Sequence, residues 1–306
     1  MKNKHTIMNP TTLAAIDIGS NGARLLIKQF DETAPEFERI RKLMFIRVPL
    51  RLGKDVFTLG KISKTRADMT LHMMKGFKQF MQLYGVRKFR ACATSAMRDA
   101  ENGKKVMKRI KNKTGIRLEI IPGAAEAQLL CNNLVENTES GIGNFAYVDV
   151  GGGSTEISLL HDGILAESHS FNIGTLRLLS GNVKTEEWNN MKNMLEDYAR
   201  EFPDTKIIGS GGNINKLFKL AKEKNGKGKF KVTQLQAIYD KLAPLSIEER
   251  KLQYGLKDDR ADVIVPAGQI FLTVAECLSC DEIAVPNISL ADSIVDGLYR
   301  DMKNKG

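Results

Sequence analysis

The chain carries one short motif twice. Asp17-Ile18-Gly19-Ser20-Asn21 follows the apolar run Leu13-Ala14-Ala15-Ile16, and Asp149-Val150-Gly151-Gly152-Gly153-Ser154 follows Phe145-Ala146-Tyr147-Val148. The two aspartates stand 132 residues apart, about one domain length. In each copy a strand ends on an Asp, a Gly/Ser turn follows, and a second strand begins, Ala23 to Lys28 in the first and Glu156 to Leu160 in the second. Glycine lets backbone N–H groups turn toward a guest with no Cβ in the way. Such concavities bind phosphate oxygens, and the adjoining carboxylate can hold a metal ion or order a water. Two such turns facing each other make a cleft for a phosphoanhydride and its magnesium.

The remaining pattern is an alternation of strands and helices, which argues for α/β layers. In the first half strands are expected over 12–18, 23–30, 37–48, 87–93 and 116–121, with helices over 64–84 and 96–113 and a joining helix over 124–136. The second half repeats the three-strand opening over 144–150, 155–161 and 164–171, then continues with a helix from Thr185 and a strand Lys206–Gly209. Thr233…Gln236 and Ser246…Glu249 read as capping boxes that open later helices. The Lys/Gly-rich stretch 222–231 reads as an exposed loop, and a helix over 260–279, a strand over 282–285 and a helix over 290–303 complete the chain. At 306 residues this is about two domains. A three-strand opening stated once per half is what a pair of actin-like, ribonuclease-H-like domains with a cleft between them would show.

Composition narrows the function. The hydrophobic fraction of 42% and charged fraction of 27% are those of a globular chain, no run approaches the length of a membrane span, and no apolar h-region follows Lys2 and Lys4. A cytoplasmic location is expected. Four cysteines make no disulfide framework, and Cys277 and Cys280 read as small core residues in a helical pattern over 271–280. The net charge of +10 fits a polyanionic partner. Nothing resembles a helix-turn-helix, a zinc finger or an aromatic RNA-binding strand, so a phosphate chain is favoured over nucleic acid.

Further residues point to the same chemistry. Ile208-Gly209-Ser210-Gly211-Gly212-Asn213 follows a strand and opens a helix, whose free N–H groups favour anions. Glu126 sits at the junction of the halves, where a general base would reach an attacking water. Arg98, after Thr94-Ser95-Ala96-Met97, has the planar fork that suits phosphate oxygens, and Arg51 and Lys54 around Gly53 are candidates for the same task. His5, His72, His161 and His169 make no triad pattern with Ser20 or Ser154; His161 belongs to the tight turn His161-Asp162-Gly163, and the serines read as phosphate hydrogen-bond donors.

On these residues the chain resembles the exopolyphosphatase / guanosine pentaphosphate phosphohydrolase family of the actin–hexokinase–heat-shock superfamily. The matching stretches run in order: Ala15–Ser20, Ala93–Arg98, Gly123–Leu129, Val148–Ile157, Asn172–Arg177, Ile208–Leu217 and Arg260–Gly268. The resemblance implies two actin-like domains, 1–124 with the C-terminal helix 291–306 and 125–290. It implies a metal-dependent hydrolase of terminal phosphoanhydrides, with polyphosphate or guanosine pentaphosphate as substrate and Mg²⁺ or another divalent cation as cofactor. Glu126 matches the catalytic glutamate and Arg98 a phosphoryl-stabilising arginine. Asp149, Glu156 and Asp17 fall where metal is held. Asp17, Gly19, Ser20, Asn21, Gly151, Gly152, Gly153, Ser154, Gly211 and Gly212 fall in the phosphate turns. The chain departs from the family at Ala125, where the first of two adjacent glutamates is usual, and at Gly22, usually Ser or Thr. It also ends near the close of the second actin-like domain, short of the helical domain of longer members. That leaves processivity and a homodimer open, with a nucleotide- or alarmone-binding regulator of little catalysis as the alternative and a kinase of the same superfamily as a further class.

Overall fold

The computed structural model describes residues 10–123, 125, 126, 128, 129, 143–221, 228–286 and 289–304. His5, Cys131 and most of the expected 124–136 helix lie outside them. In the first half the strands are β1 (Thr11–Ile18), β2 (Ala23–Phe30), β3 (Ile40–Val48), β4 (Lys88–Ala93) and β5 (Glu119–Ile120). In the second they are β6 (Asn144–Val150), β7 (Thr155–His161), β8 (Ile164–Phe171), β9 (Lys206–Ser210), β10 (Lys229–Lys231) and β11 (Glu282–Ala284). The first sheet has the order β3-β2-β1-β4-β5 and the second β10-β11-β9-β6-β7-β8. Each is built alike: a central strand pairs antiparallel with the next strand, which pairs antiparallel with a third, while the other edge of the central strand takes a parallel partner.

The central strands are apolar on both faces because both faces are covered. From β1, Ala14, Ile16 and Ile18 enter a core with the helix Lys64–Leu83, while Leu13 and Ala15 face the opposite side. From β6, Ala146, Val148 and Val150 enter a core with the helices Thr185–Glu201 and Ile264–Cys277, while Tyr147 faces the side of Leu13 and Ala15. That third core is shared by both sheets. The helix Leu290–Lys303 supplies Leu290, Ala291, Ile294, Val295 and Leu298 to it and packs on β1, β2 and β4. Each large aliphatic side chain so buried contributes about 1.5–3 kcal/mol of transfer free energy. Its spacing of apolar residues follows a helical stripe, and the Ser289–Asp292 capping box opens it.

Several elements differ from the sequence expectation. Helix 96–113 divides into Ser95–Asp99 and Gly103–Thr114, because Ala100 turns extended and the chain re-enters helix at Gly103. Likewise 260–279 divides into Asp258–Ala261 and Ile264–Cys277, so Cys280 lies beyond the helix end. A helix Leu52–Leu59 begins after Arg51, whose backbone is left-handed at φ 54°. The strand expected from 37 begins at Ile40, and a strand Lys229–Lys231 occupies the end of the expected loop. The helix expected to open on Thr233 starts at Val232, with the Gln234 side chain accepting from the Lys231 N–H at 2.8 Å. The Ser246–Glu249 box is present, with reciprocal bonds of 3.2 and 2.7 Å. Among the described residues no helix is long and apolar enough to cross a membrane.

Candidate active site

Both Asp–Gly turns close in the same way. The Gly19 N–H donates to the Gly22 carbonyl at 3.0 Å, and the Gly151 N–H donates to the Ser154 carbonyl at 2.9 Å. The two turns line one cleft that also takes residues from the third glycine turn and from the junction of the halves. Strand register sets what stands beside each turn. Across the first sheet, Asp17 on β1 is paired with Arg24 on β2, and Arg24 with Arg47 on β3. Across the second, Asp149 on β6 is paired with Glu156 on β7, and Glu156 with Ser170 on β8. Arg24 and Glu156 each follow their aspartate by seven residues, so one fold position is a cation in one half and a carboxylate in the other.

Four carboxylates, Asp17, Glu126, Asp149 and Glu156, line the cleft. Asp17 is 1% exposed and salt-bridged to Arg24. Glu156 is 2% exposed, and its Oε1 accepts from Ser154 at 2.7 Å and Ser170 at 2.9 Å. Glu126 is 8% exposed and follows Pro122, whose carbonyl accepts the Glu126 N–H at 3.0 Å. Gly123 allows the junction to come this close: a Cβ there would collide with Ser170. Burial, and then the charges of Glu156, Asp149 and Asp17, push the Glu126 carboxyl well above the usual range, against a smaller opposite effect of Arg98. Burial likewise raises Glu156, offset by the Ser154 hydroxyl. Burial lifts Asp149 to about 6, with Arg24 opposing. Gly211, at φ +101°, brings the third turn against Asp149; a Cβ there would lie 2.8 Å from Oδ1.

Not every expected residue reaches the cleft. Gly19, Ser20, Asn21, Gly151, Gly152, Ser154, Gly211 and Gly212 line it. Gly153 does not; its carbonyl accepts from Arg177 Nε at 2.8 Å. Arg98 pairs with Asp99 at 3.2 Å and is not among the lining residues, although its charge is felt by Glu126 and Glu156. Arg51 bonds Asp262 and the Asp258 carbonyl instead of the cleft. The Ser20 hydroxyl lies 2.8 Å from that of Ser95 and accepts from the Ala96 N–H at 3.2 Å. His161 bonds Asn144 at 2.7 Å at the expected turn, away from either serine. The residues that sequence reasoning missed are Arg24, Arg47, Asn213 and Arg260, all lining the cleft. Arg24 had a signal in its seven-residue spacing; Arg47 had none, because its place depends on the β2–β3 register.

The pattern of the Ppx/GppA phosphatase family matches residues 31–301. The chain belongs to that family. Its fold is the family's two-domain, actin-like α/β fold. An exopolyphosphatase from Cytophaga hutchinsonii superposes with a TM-score of 0.82 over 96% of this chain and 98% of that one, at 24% identity. Exopolyphosphatase 1 of Mycobacterium tuberculosis is 31% identical over 146 residues, 48% of this chain and 41% of that protein. A guanosine-5'-triphosphate,3'-diphosphate pyrophosphatase of Photobacterium profundum is 24% identical over 311 residues, 95% of this chain and 60% of that protein. The chain spans about half the length of the curated relatives it matches.

Proposed function

We propose that this protein hydrolyses the terminal phosphoanhydride of inorganic polyphosphate or guanosine pentaphosphate, releasing orthophosphate. The carrying observation is a buried carboxylate at the junction, Glu126, set over two N–H turns and three further carboxylates in one cleft. Relatives named exopolyphosphatase and guanosine-5'-triphosphate,3'-diphosphate pyrophosphatase support the same substrates.

The turns Gly19–Asn21 and Gly151–Ser154 hold the terminal phosphates through backbone N–H groups other than those of Gly19 and Gly151, which close the turns. Glu126 takes a proton from water as the water oxygen attacks the terminal phosphorus and the bond to the bridging oxygen breaks, the electron pair leaving with the shortened chain. When ionised, a carboxylate whose proton affinity is raised by burial and like charge is a stronger base than an ordinary one. Arg98, whose charge acts on Glu126 and Glu156, is assigned to the transferring phosphoryl. Transfer of this kind depends on positioning and electrostatics.

The donor set fits a divalent cation. Asp17, Asp149 and Glu156 offer hard oxygen ligands, and the Asn21 Oδ1 is buried without a hydrogen-bond partner in the protein. Among the described residues no three acidic, His or Cys side chains close around one point. Mg²⁺ keeps several waters and is shared with substrate phosphates, so one or two of these carboxylates are enough to hold it. Bound there, it would neutralise charge developing on the phosphate oxygens.

The test is phosphate release with Mg²⁺ from short polyphosphate, long polyphosphate and guanosine pentaphosphate, beside Glu126→Gln. Loss of about 10²- to 10⁴-fold in the variant is expected for a general base; near-normal turnover would sink the assignment. Ligand binding without release would favour the regulator reading. Ala125 is exposed and is not among the residues that line the cleft.

A further inference from the structure

The two halves differ at one matched position, and the difference has a structural consequence. Ser154 closes the second turn and donates to Glu156 at 2.7 Å. Its counterpart in the first turn is Gly22, which has no hydroxyl to offer Arg24. The space beside Gly22 is filled from β3: a Cβ at Gly22 would lie 3.3 Å from Arg47 Nη2, 3.4 Å from its Cζ and 3.1 Å from the Val48 carbonyl. Arg47 ends the row Asp17–Arg24–Arg47 and lines the cleft. From the other half Arg260 arrives at the same place, its guanidinium over Gly212 and bonded to Asn213 Oδ1 at 2.5 Å. Burial, and then the charge of Arg47, bring Arg260 down to about 10. One carboxylate, Asp259, stands with these two cations, bonded to Arg47 Nη1 at 2.5 Å. A second contact joins the halves here, Asn21 Nδ2 donating to the Asp259 carbonyl at 3.0 Å.

We infer that Arg47 is a polyanion-binding residue of this chain, admitted to the cleft by Gly22, which with Arg260 holds the phosphates behind the terminal one. Among the described residues, Arg47 and Arg260 share the carboxylate of Asp259, which leaves positive charge in excess on this part of the cleft lining, and a planar fork matches phosphate oxygens two at a time. Nη1 is anchored on Asp259, so Nη2, against Gly22, is the edge presented to the ligand. A side chain at residue 22 would press on that edge. This deepens the hydrolase reading by giving the site a preference for chains over orthophosphate, and it rests on that reading for the location of the terminal phosphate.

The test is calorimetric titration of the full chain with Mg²⁺ and either inorganic tripolyphosphate or orthophosphate, in a Glu126→Gln background. Arg47→Gln is expected to weaken tripolyphosphate roughly 10- to 100-fold, as for loss of a charge-assisted contact, with orthophosphate moved by less than about threefold. Gly22→Ser should weaken tripolyphosphate in the same direction and add little once Arg47 is Gln, the signature of a shared interaction. Asp259→Asn separates binding from a latch between the halves: it frees the guanidinium and should bind tripolyphosphate at least as tightly. The inference is overturned if Arg47→Gln binds tripolyphosphate as its parent does, if Asp259→Asn loses as much as Arg47→Gln, or if the parent binds no tripolyphosphate. Should Arg47→Gln fold poorly, Gly22→Ser alone carries the test, and unweakened binding there overturns the inference. Phosphate release by the unmutated chain reports on hydrolysis separately, so either reading can fail alone.

Discussion

Asp149 illustrates what burial does to a carboxylate that shares a cleft with three others. Burial holds its carboxyl up to about 6 against an ordinary 3.8, with Arg24 opposing and Asp17 reinforcing. Glu126 and Glu156 move in the same direction. The folded chain therefore keeps these protons to a higher pH than the unfolded chain does. The stability involved is fully present below about pH 4 and is lost as pH rises through about 6 and beyond. In chelator-containing buffer the thermal midpoint is expected to fall between pH 5 and 8, and Mg²⁺ should restore most of the loss at the alkaline end. A midpoint that holds steady or climbs over that range without Mg²⁺ would contradict a buried, uncompensated cluster.

Strand pairing decides which side chains meet at the site. Asp17 and Arg24 stand seven residues apart and Arg47 a further 23, yet the three form one row, because a strand pair brings facing residues within about 5 Å. The junction is positioned by a similar close approach, Gly123 against Ser170, the neighbour of Glu156 in its own row. Gly123→Ala would force these apart and carry Glu126 with it. Phosphate release is expected to drop by roughly tenfold or more, since small misplacements of a reacting group are costly. Adding Ser170→Gly should recover part of it. Failure of the second substitution to recover any activity would mean that Gly123 matters for another reason.

At the scale of the whole molecule, the halves are tied on both sides of the cleft. Arg51 from the first half is salt-bridged to Asp262 of the second, with 17% and 16% of the two side chains exposed. On the other side Arg177 bonds Asp99 at 2.5 Å and lies 4.2 Å from the centre of the Phe57 ring. The core shared by both sheets, filled by the helix Leu290–Lys303, connects them behind the cleft. Asp262→Ala leaves the half-buried Arg51 guanidinium without its carboxylate, held only by the Asp258 carbonyl, and is expected to cost about 1–3 kcal/mol, read by urea denaturation. A change within about 0.5 kcal/mol would assign the pair to the solvated surface instead.

Local chemistry was legible without coordinates wherever it depended on neighbours in the chain. The repeated Asp–Gly turn announced two alike halves, and its spacing marked Asp17, Ser20, Asn21, Asp149, Ser154 and Glu156, all of which line the cleft. The apolar runs Leu13–Ile16 and Phe145–Val148 announced the central strands, since a strand covered on both faces is apolar throughout. What depended on approach between distant segments was not legible. The helix Leu52–Leu59, the division of two helices and the place of Arg47 follow from packing and register. Arg98 lies outside the lining of the cleft and pairs with Asp99, a contact that its place after a strand end did not announce. A sequence specifies which groups exist and their local geometry; which groups face one another is set by the free energy of burying two sheets around a shared core.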